Sequence, residues 1–214
     1  MKFLFFIAII GLMNLSATSF GQSIIGESKT QKLITIGTQV WNCRNLTITT
    51  FNNGDPIYEA KTNEEWNNAS EKHIPAWCYF NNDPKTEAKY GKLYNWYVVN
   101  DYRGIAPIGY HIPTYNDWEK LISYLGGREN AADNIPFSWN KLIDTLNRKK
   151  FSNHVAGNRK YDGEFSEYNC EPYWSKDDDT ELFAHFVYIR YWLGDILNQT
   201  TTKGDGCAIR FLKN

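Results

Sequence analysis

The side chains that could carry out catalysis are scattered along this sequence. Its four histidines, at positions 73, 111, 154 and 185, occur in no H-E-x-x-H or comparable metal-binding spacing. No G-x-S-x-G motif, which would place a nucleophilic serine on a strained turn, is present. His111 directly precedes Ile112 and Pro113, and we interpret it as a hydrogen-bonded structural residue. These features do not favour a hydrolase or a metalloenzyme.

Carboxylates are the remaining candidates for acid–base chemistry, because two of them facing each other can act as the acid and base of a glycosidase. The candidates are Glu64, Glu65, Asp117, Glu119 and Asp162. Each lies at a predicted helix start or turn, where an acidic residue is favoured for structural reasons. We therefore predict no catalytic residues.

The densest acidic run is Asp177, Asp178 and Asp179. Grouped carboxylates in a loop can bind Ca²⁺. A solvated turn accounts for the same run, so calcium is the weaker interpretation, and the sequence predicts no other cofactor or metal.

The first 21 residues have the pattern of a secretory signal peptide. Lys2 precedes an apolar run of eleven residues, Phe3–Met13, and small residues stand at positions 19 and 21 before a cleavage site. The run is too short for a bilayer, which takes about 20 residues to cross. We expect an exported chain, extracellular or in the cell envelope, whose mature part (22–214) forms a single domain and does not insert into the membrane.

Charge and cysteine content narrow the class of partner further. The formal net charge is −1, and no long basic or acidic block is present, so nucleic acid is not an expected partner. The four cysteines favour disulfides in an exported chain. Their three pairings stay open at this point. A zinc site is not favoured, because the closest pair, Cys43 and Cys78, is 35 residues apart.

Aromatic residues make up 16% of the chain, and most of their rings are expected in the core. Some could instead bind sugars at the surface. For this role the sequence offers Tyr173, Trp174, Tyr191 and Trp192, within the helix-poor segment 161–198.

The clearest local signal is a strand followed by a helix at Gly109–Gly127. Thr114 and Asp117 have the spacing of a capping box, and an apolar stripe follows from Trp118 to Leu125. Further helices are predicted after Thr62, over Lys85–Asn100 with a break at Gly91, and within Asn130–Lys150. Strands are predicted near both ends, including Leu33–Ile36, Phe183–Trp192 and Cys207–Leu212, with a polar turn at Asn198–Gly204. This order predicts an α+β domain whose terminal strands pair.

Several short segments, taken together in order, resemble the Fibrobacter succinogenes major paralogous domain of secreted bacterial proteins. They are Ile36–Trp41 with Asn45-Leu46, Tyr79–Asp83, Tyr90–Tyr97, Pro107–Trp118, Gly157–Phe165, Tyr173–Ser175 and Gly206–Leu212. The resemblance implies a C-type-lectin-like fold, short helices packed on antiparallel sheet, in the branch shared with formylglycine-generating enzymes. It carries no established activity.

Two departures from this family pattern concern disulfide bonding. Relatives often carry cysteines where this chain has Ala106 and Phe211. The loss of both implies that Cys170 and Cys207 form a substitute bridge.

The sequence thus predicts a secreted or cell-surface, non-catalytic binding module for a glycan or a surface protein. The alternatives are an enzyme of the formylglycine-generating or glycosidase type, and a structural envelope protein with no small ligand.

Overall fold

The computed structural model describes residues 33–135, 157–166, 170–190 and 193–214. The strands are β1 (Leu33–Ile36), β2 (Gln39–Asn42), β3 (Tyr58–Glu59), β4 (Ala76–Cys78), β5 (Leu93–Tyr94), β6 (Tyr110–His111), β7 (Asn158–Arg159), β8 (Phe165–Ser166), β9 (Glu171–Asp178), β10 (Phe183–Arg190), β11 (Asp195–Thr202) and β12 (Leu212–Lys213). The helices are α1 (Asn63–Glu71), α2 (Glu87–Tyr90), α3 (Trp96–Val99), α4 (Tyr115–Tyr124) and α5 (Ala131–Asn134), with 3₁₀ turns at Phe80–Asn82 and Pro84–Thr86. The fold is mixed α/β, with several small, mostly antiparallel sheets and few short helices.

The terminal strands pair, as predicted. The largest sheet has the order β1-β2-β12-β6. Leu212 of β12 lies between Trp41 on β2 and His111 on β6, antiparallel to both. The two ends of the domain are therefore joined in one sheet, next to the segment that leads into α4.

A second sheet, ordered β11-β10-β9, carries the longest strands. β10 and β11 pair residue for residue from Phe183 opposite Thr202 to Arg190 opposite Asp195. The predicted polar turn at Asn198–Gly204 is therefore largely wrong, because most of it belongs to β11. Its threonines suit a strand with an exposed face, and the chain reverses instead next to Gly194, which has φ +78°.

Helix α4 matches its prediction closely. Thr114 is the N-cap, and its side chain and that of Asp117 form both bonds of the capping box. Trp118, Leu121 and Ile122 are buried. The ring of Trp118 lies 4.8 Å from that of Trp41 and 5.7 Å from that of Tyr173, measured between centroids. The apolar stripe thus packs the helix against two sheets.

The break predicted at Gly91 within Lys85–Asn100 is confirmed, but the helical prediction is wrong for the residues directly after it. Helix α2 ends before Gly91, which has φ +70°, and a Cβ there would lie 2.7 Å from Cβ of Asn45. The chain continues as strand β5, which pairs with β4, and only one helical turn, α3, follows. Of the helix predicted within Asn130–Lys150, the described residues contain α5; positions 136–150 lie outside them.

Of the 24 aromatic residues that the structure describes, eleven are buried and five more pack half-buried against the core. Trp41, Trp66, Trp118 and Trp174 are wholly buried. Within the described residues the longest helix, α4, has ten residues, and none is long and apolar enough to cross a membrane.

The cysteine prediction is not confirmed. Cys43, Cys78, Cys170 and Cys207 are all buried, and none lies at disulfide distance from another. Cys207 is held by main-chain hydrogen bonds to Tyr94 at 2.9 and 3.0 Å. Burial raises the pKa of Cys78 and that of Cys170 to about 12, which suits inert core thiols. The Cys170–Cys207 bridge is therefore not present in the structure.

Candidate ligand-binding groove

Two of the four aromatic residues predicted to bind a ligand lie in the core. Tyr173 and Trp174 are both 0% exposed. The hydroxyl of Tyr173 donates to Glu171 at 2.8 Å, and Nε1 of Trp174 donates to the carbonyl of Tyr94 at 2.7 Å. Neither ring can stack on a ligand at the surface, so this part of the prediction is wrong. Tyr191 and Trp192 lie outside the described residues.

The acidic run Asp177–Asp179 does not converge on a common centre. Asp177 accepts hydrogen bonds from the N–H of Tyr115 and the hydroxyl of Ser175. Asp178 forms an ion pair with Lys203 at 3.1 Å. In the part of the chain that the structure describes, no group of three His, Cys, Asp or Glu residues could hold a metal ion. The geometry therefore gives the calcium interpretation no support, and Asp177 instead fixes the start of α4.

An open groove of about 710 Å³ lies between the β1–β2 turn and the exposed side of α4. Its polar lining consists of Thr38, Gln39, Asn116, Glu119, Lys120 and Ser123. The helical residues recur at intervals of three or four, so they form one face of α4. Hydroxyl and amide groups dominate this lining.

A tyrosine ring forms one end of the groove. Tyr124 is 66% exposed and packs against the β1–β2 turn at Gly37. A Cβ on Gly37 would lie 2.8 Å from Cδ2 of Tyr124, and the residue has φ +60°. Glycine is therefore required at position 37 for two reasons: the turn needs a positive φ, and the ring of Tyr124 lies where a Cβ would be. The result is an aromatic surface that the backbone supports on one side and that stays largely accessible.

The two charged side chains of the groove have partners of opposite charge. Oε1 of Glu119 accepts from Arg128 at 2.7 Å and from the amide of Asn198 at 3.3 Å. Nζ of Lys120 lies 3.9 Å from Asp117. The lining is therefore close to neutral.

A hydrogen-bond network around Asp117 holds α4 in place beside the groove. Asp117 accepts from the N–H and hydroxyl of Thr114 at 3.0 and 2.6 Å, and its Oδ2 lies 3.1 Å from Nε2 of His111. Burial acts to raise the pKa of Asp117, but these hydrogen bonds outweigh it and the pKa is lowered. Nδ1 of His111 lies 2.6 Å from Oδ1 of Asn214, so this histidine is hydrogen-bonded through both ring nitrogens, as predicted. The amide of Gln39 donates to the carbonyl of Asp117 at 2.9 Å, so the same residue also ties the turn to the helix.

The sequence pattern contains one sign of this groove. Tyr124 lies off the apolar stripe of α4, so an aromatic residue on the solvent side of that helix was foreseeable. Nothing local connects it with Gly37, which is 87 positions earlier in the chain.

Neither of two clefts has the residues of a glycosidase. The groove contains one carboxylate, that of Glu119. A smaller cleft of about 210 Å³ contains one, that of Glu59. Hydrolysis of a glycoside requires two, and among the described residues neither cleft supplies the second.

The structure thus defines a small mixed α/β domain with an open, polar, nearly neutral groove. The chain belongs to the Fibrobacter succinogenes major domain family, whose model matches residues 34–213. No curated protein and no solved structure matches it.

Proposed function

We propose that this chain is an exported, non-catalytic binding module with a C-type-lectin-like fold, and that it binds a glycan in the groove between the β1–β2 turn and α4. The observation that carries the proposal is the ring of Tyr124, supported by Gly37 and left 66% exposed beside a row of hydroxyl and amide groups. The pairing of the terminal strands supports the fold assignment, and the N-terminal pattern supports export.

The groove has the two kinds of surface that a sugar ring needs. A pyranose has an apolar face of C–H groups and a rim of hydroxyls that both donate and accept. Tyrosine offers a flat apolar surface at little cost in conformational entropy. The side chains of Thr38, Asn116 and Ser123 supply donors and acceptors around it.

The expected contribution of Tyr124 follows from its area. One face of a tyrosine ring presents on the order of 60 Å² of apolar surface, about a third of what a buried aromatic side chain covers. At about 25 cal/mol per Å², its burial contributes roughly 1.5 kcal/mol, or about tenfold in affinity.

The test is a glycan array followed by affinity measurements on residues 22–214, with and without Ca²⁺. Tyr124→Ala should weaken binding by about tenfold or more. Tyr102→Ala is the matched control, because Tyr102 is 94% exposed and lies outside the groove. Equal affinity of wild type and Tyr124→Ala would refute the assignment of the groove, and the absence of glycan binding would refute the function and favour a protein partner.

Gly37→Ala tests the support of the ring separately. The new methyl group would collide with Tyr124, and the left-handed backbone costs a non-glycine residue about 1–2 kcal/mol. Both affinity and unfolding free energy should fall. Loss of stability with unchanged affinity would mean that the position of the ring does not matter for binding.

A further inference from the structure

We propose that the groove selects uncharged saccharide units over acidic ones and that Glu119 is the residue that discriminates between them. The inference rests on the proposed glycan binding and concerns the chemical class of the glycan. It follows from the position of one carboxylate and from the pairing of the cations around it.

The carboxylate of Glu119 is held in place by hydrogen bonds to one of its two oxygens. Its Oε1 accepts both hydrogen bonds, from Arg128 and from Asn198. Its Oε2 has no hydrogen bond to any described residue. A fixed carboxylate oxygen that only accepts is well suited to the hydroxyls of a neutral sugar, which can donate to it.

The amide of Asn198 contributes the second of these hydrogen bonds. Asn198 donates from Nδ2 to Oε1 of Glu119 at 3.3 Å, and no described residue donates to its buried Oδ1. Asn198 therefore helps Arg128 to hold the carboxylate of Glu119 in one position.

The cations near the groove have carboxylate partners of their own. Arg128 forms an ion pair with Glu119, and Lys120 lies within ion-pair distance of Asp117. Recognition of a uronate or a sulfate usually uses an arginine or lysine that is free to pair with it. An acidic unit would have to compete with Glu119 for Arg128. It would compete only weakly with Asp117 for Lys120, because that pair is 3.9 Å long and the Lys120 side chain is largely exposed.

An acidic unit would also be repelled by Glu119. Two like charges about 5 Å apart in a water-like dielectric repel enough to weaken binding roughly fourfold. This is an upper value, because Arg128 is paired with Glu119 and partly offsets its charge. Salt should reduce this effect because the groove is open.

The experiment uses pairs of polysaccharides that share a backbone and differ in charge. Hydroxyethyl cellulose is compared with carboxymethyl cellulose, and dextran with dextran sulfate, together with any neutral and acidic glycans identified on the array. Affinity is measured at low and at high salt for the wild-type chain. The neutral member of a bound pair should bind more tightly, by up to about fourfold. The ratio of the affinity for the neutral glycan to the affinity for the acidic one should shrink as salt is raised.

Two variants assign the effect to the groove. Glu119→Gln keeps the size of the side chain and one hydrogen-bond acceptor but removes the negative charge, so the ratio of the affinity for neutral glycans to that for acidic ones should fall towards one. Lys120→Gln removes the neighbouring cation, so the same ratio should rise. Glu71→Gln is the control, because Glu71 is an exposed carboxylate at the end of α1, outside the groove, and should leave the ratio unchanged. Melting curves of each variant confirm that it is folded.

The outcomes separate this inference from the function on which it rests. Binding to glycans with a preference for acidic ones would overturn the inference and leave the proposed function standing. An unchanged ratio in folded Glu119→Gln would also overturn it. Binding to no glycan of either class would overturn both.

Discussion

The replacement of Arg159 by lysine is the sharpest test of how this fold is held together. Arg159 is 0% exposed, and its hydrogen bonds join three segments of the chain. Its guanidinium donates to the carbonyl of Gly163 at 2.9 Å, to the carbonyl of Ala60 at 3.0 Å, and to the amide oxygens of Asn63 and Asn82 at 3.2 Å each.

Aromatic rings complete the site of this guanidinium. Its central carbon lies 4.9 Å from the ring of Trp66 and 4.7 Å from that of Phe165. A planar, weakly hydrated guanidinium suits such a site, and a compact ammonium does not. Arg159→Lys should therefore lose both the planar packing and at least two of the four hydrogen bonds.

The expected cost can be worked out from these contacts. A hydrogen bond from a charged donor contributes about 1.5–3 kcal/mol net, so the loss of two corresponds to at least about 3 kcal/mol. That is a large fraction of the roughly 5–15 kcal/mol that stabilises a typical domain.

Urea unfolding measures this cost directly. With a slope of about 2 kcal/mol per molar, the midpoint of Arg159→Lys should fall by about 1.5 M. Arg44→Lys is the control, because Arg44 is exposed, and it should stay within about 0.5 kcal/mol of wild type. A midpoint for Arg159→Lys within about 0.3 M of wild type, at equal slope, would refute the reasoning.

Three further predictions concern titratable groups. Burial raises the pKa of Asp205 despite hydrogen bonds from Thr201 and Thr202, so its stabilising contribution is present at low pH and lost as pH rises through the folded-state pKa. Asparagine resembles the protonated, uncharged form of Asp205, so Asp205→Asn should have a higher urea midpoint than wild type at pH 7. The gain should disappear near pH 4, where the aspartate of the wild type is itself protonated in the folded state. A gain in urea midpoint that persists at low pH would contradict this. Thr114→Ala should lower the free energy of unfolding by about 1 kcal/mol at neutral pH. The pKa of Asp117 is lowered in the folded state, so its contribution to stability is present at pH values above the unfolded-state pKa and is lost as pH falls through the folded-state pKa; the difference in unfolding free energy between variant and wild type should therefore narrow in acid. A difference that does not change with pH would count against the capping role. Thiol titration of the oxidised chain in denaturant should find four reactive cysteines. In the native state the same thiols should react slowly, because all four are buried. A count of two thiols in denaturant would reveal a disulfide that the structure lacks.

Helix α4 shows which parts of the fold the sequence was able to predict. Its cap, its apolar stripe and the two glycines that follow its last turn, Gly126 and Gly127, all lie within one stretch of fewer than twenty residues. Each of these signals acts over one or two turns, so no distant contact is needed to interpret them. The pairing of terminal strands was also predictable, because strands at both ends of a chain with helices between them have few other ways to form a sheet.

The errors arose where distant contacts override local preference. The helical structure predicted directly after the break at Gly91 gives way to β5, because Leu93 pairs with Cys78 in another part of the sequence. Tyr173 and Trp174 point to opposite faces of β9, and a surface sheet would expose one of them. Both are buried because the core continues on each side of this strand, around Trp118 on one side and around Trp96 on the other.

The groove could not be derived from the sequence for the same reason. Its two walls come from the first turn of the domain and from the middle of the chain, and their approach depends on the sheet that joins both termini. Asn214 contacts His111, His111 contacts Asp117, and Asp117 accepts from Gln39. The last residue of the chain is thereby connected to the turn that carries Gly37.

The residues that hold the walls of the groove in place differ from several of the residues that line it. The network that positions α4 uses its capping residues, and the core uses its apolar stripe. The side chains at Asn116, Ser123 and Tyr124 belong to neither set, so among the described residues they can change with little effect on stability. A scaffold that fixes the walls of a groove independently of the side chains that line it allows related chains to bind different ligands on one fold. Exchanging these three side chains should therefore alter ligand preference while the urea midpoint stays close to that of wild type.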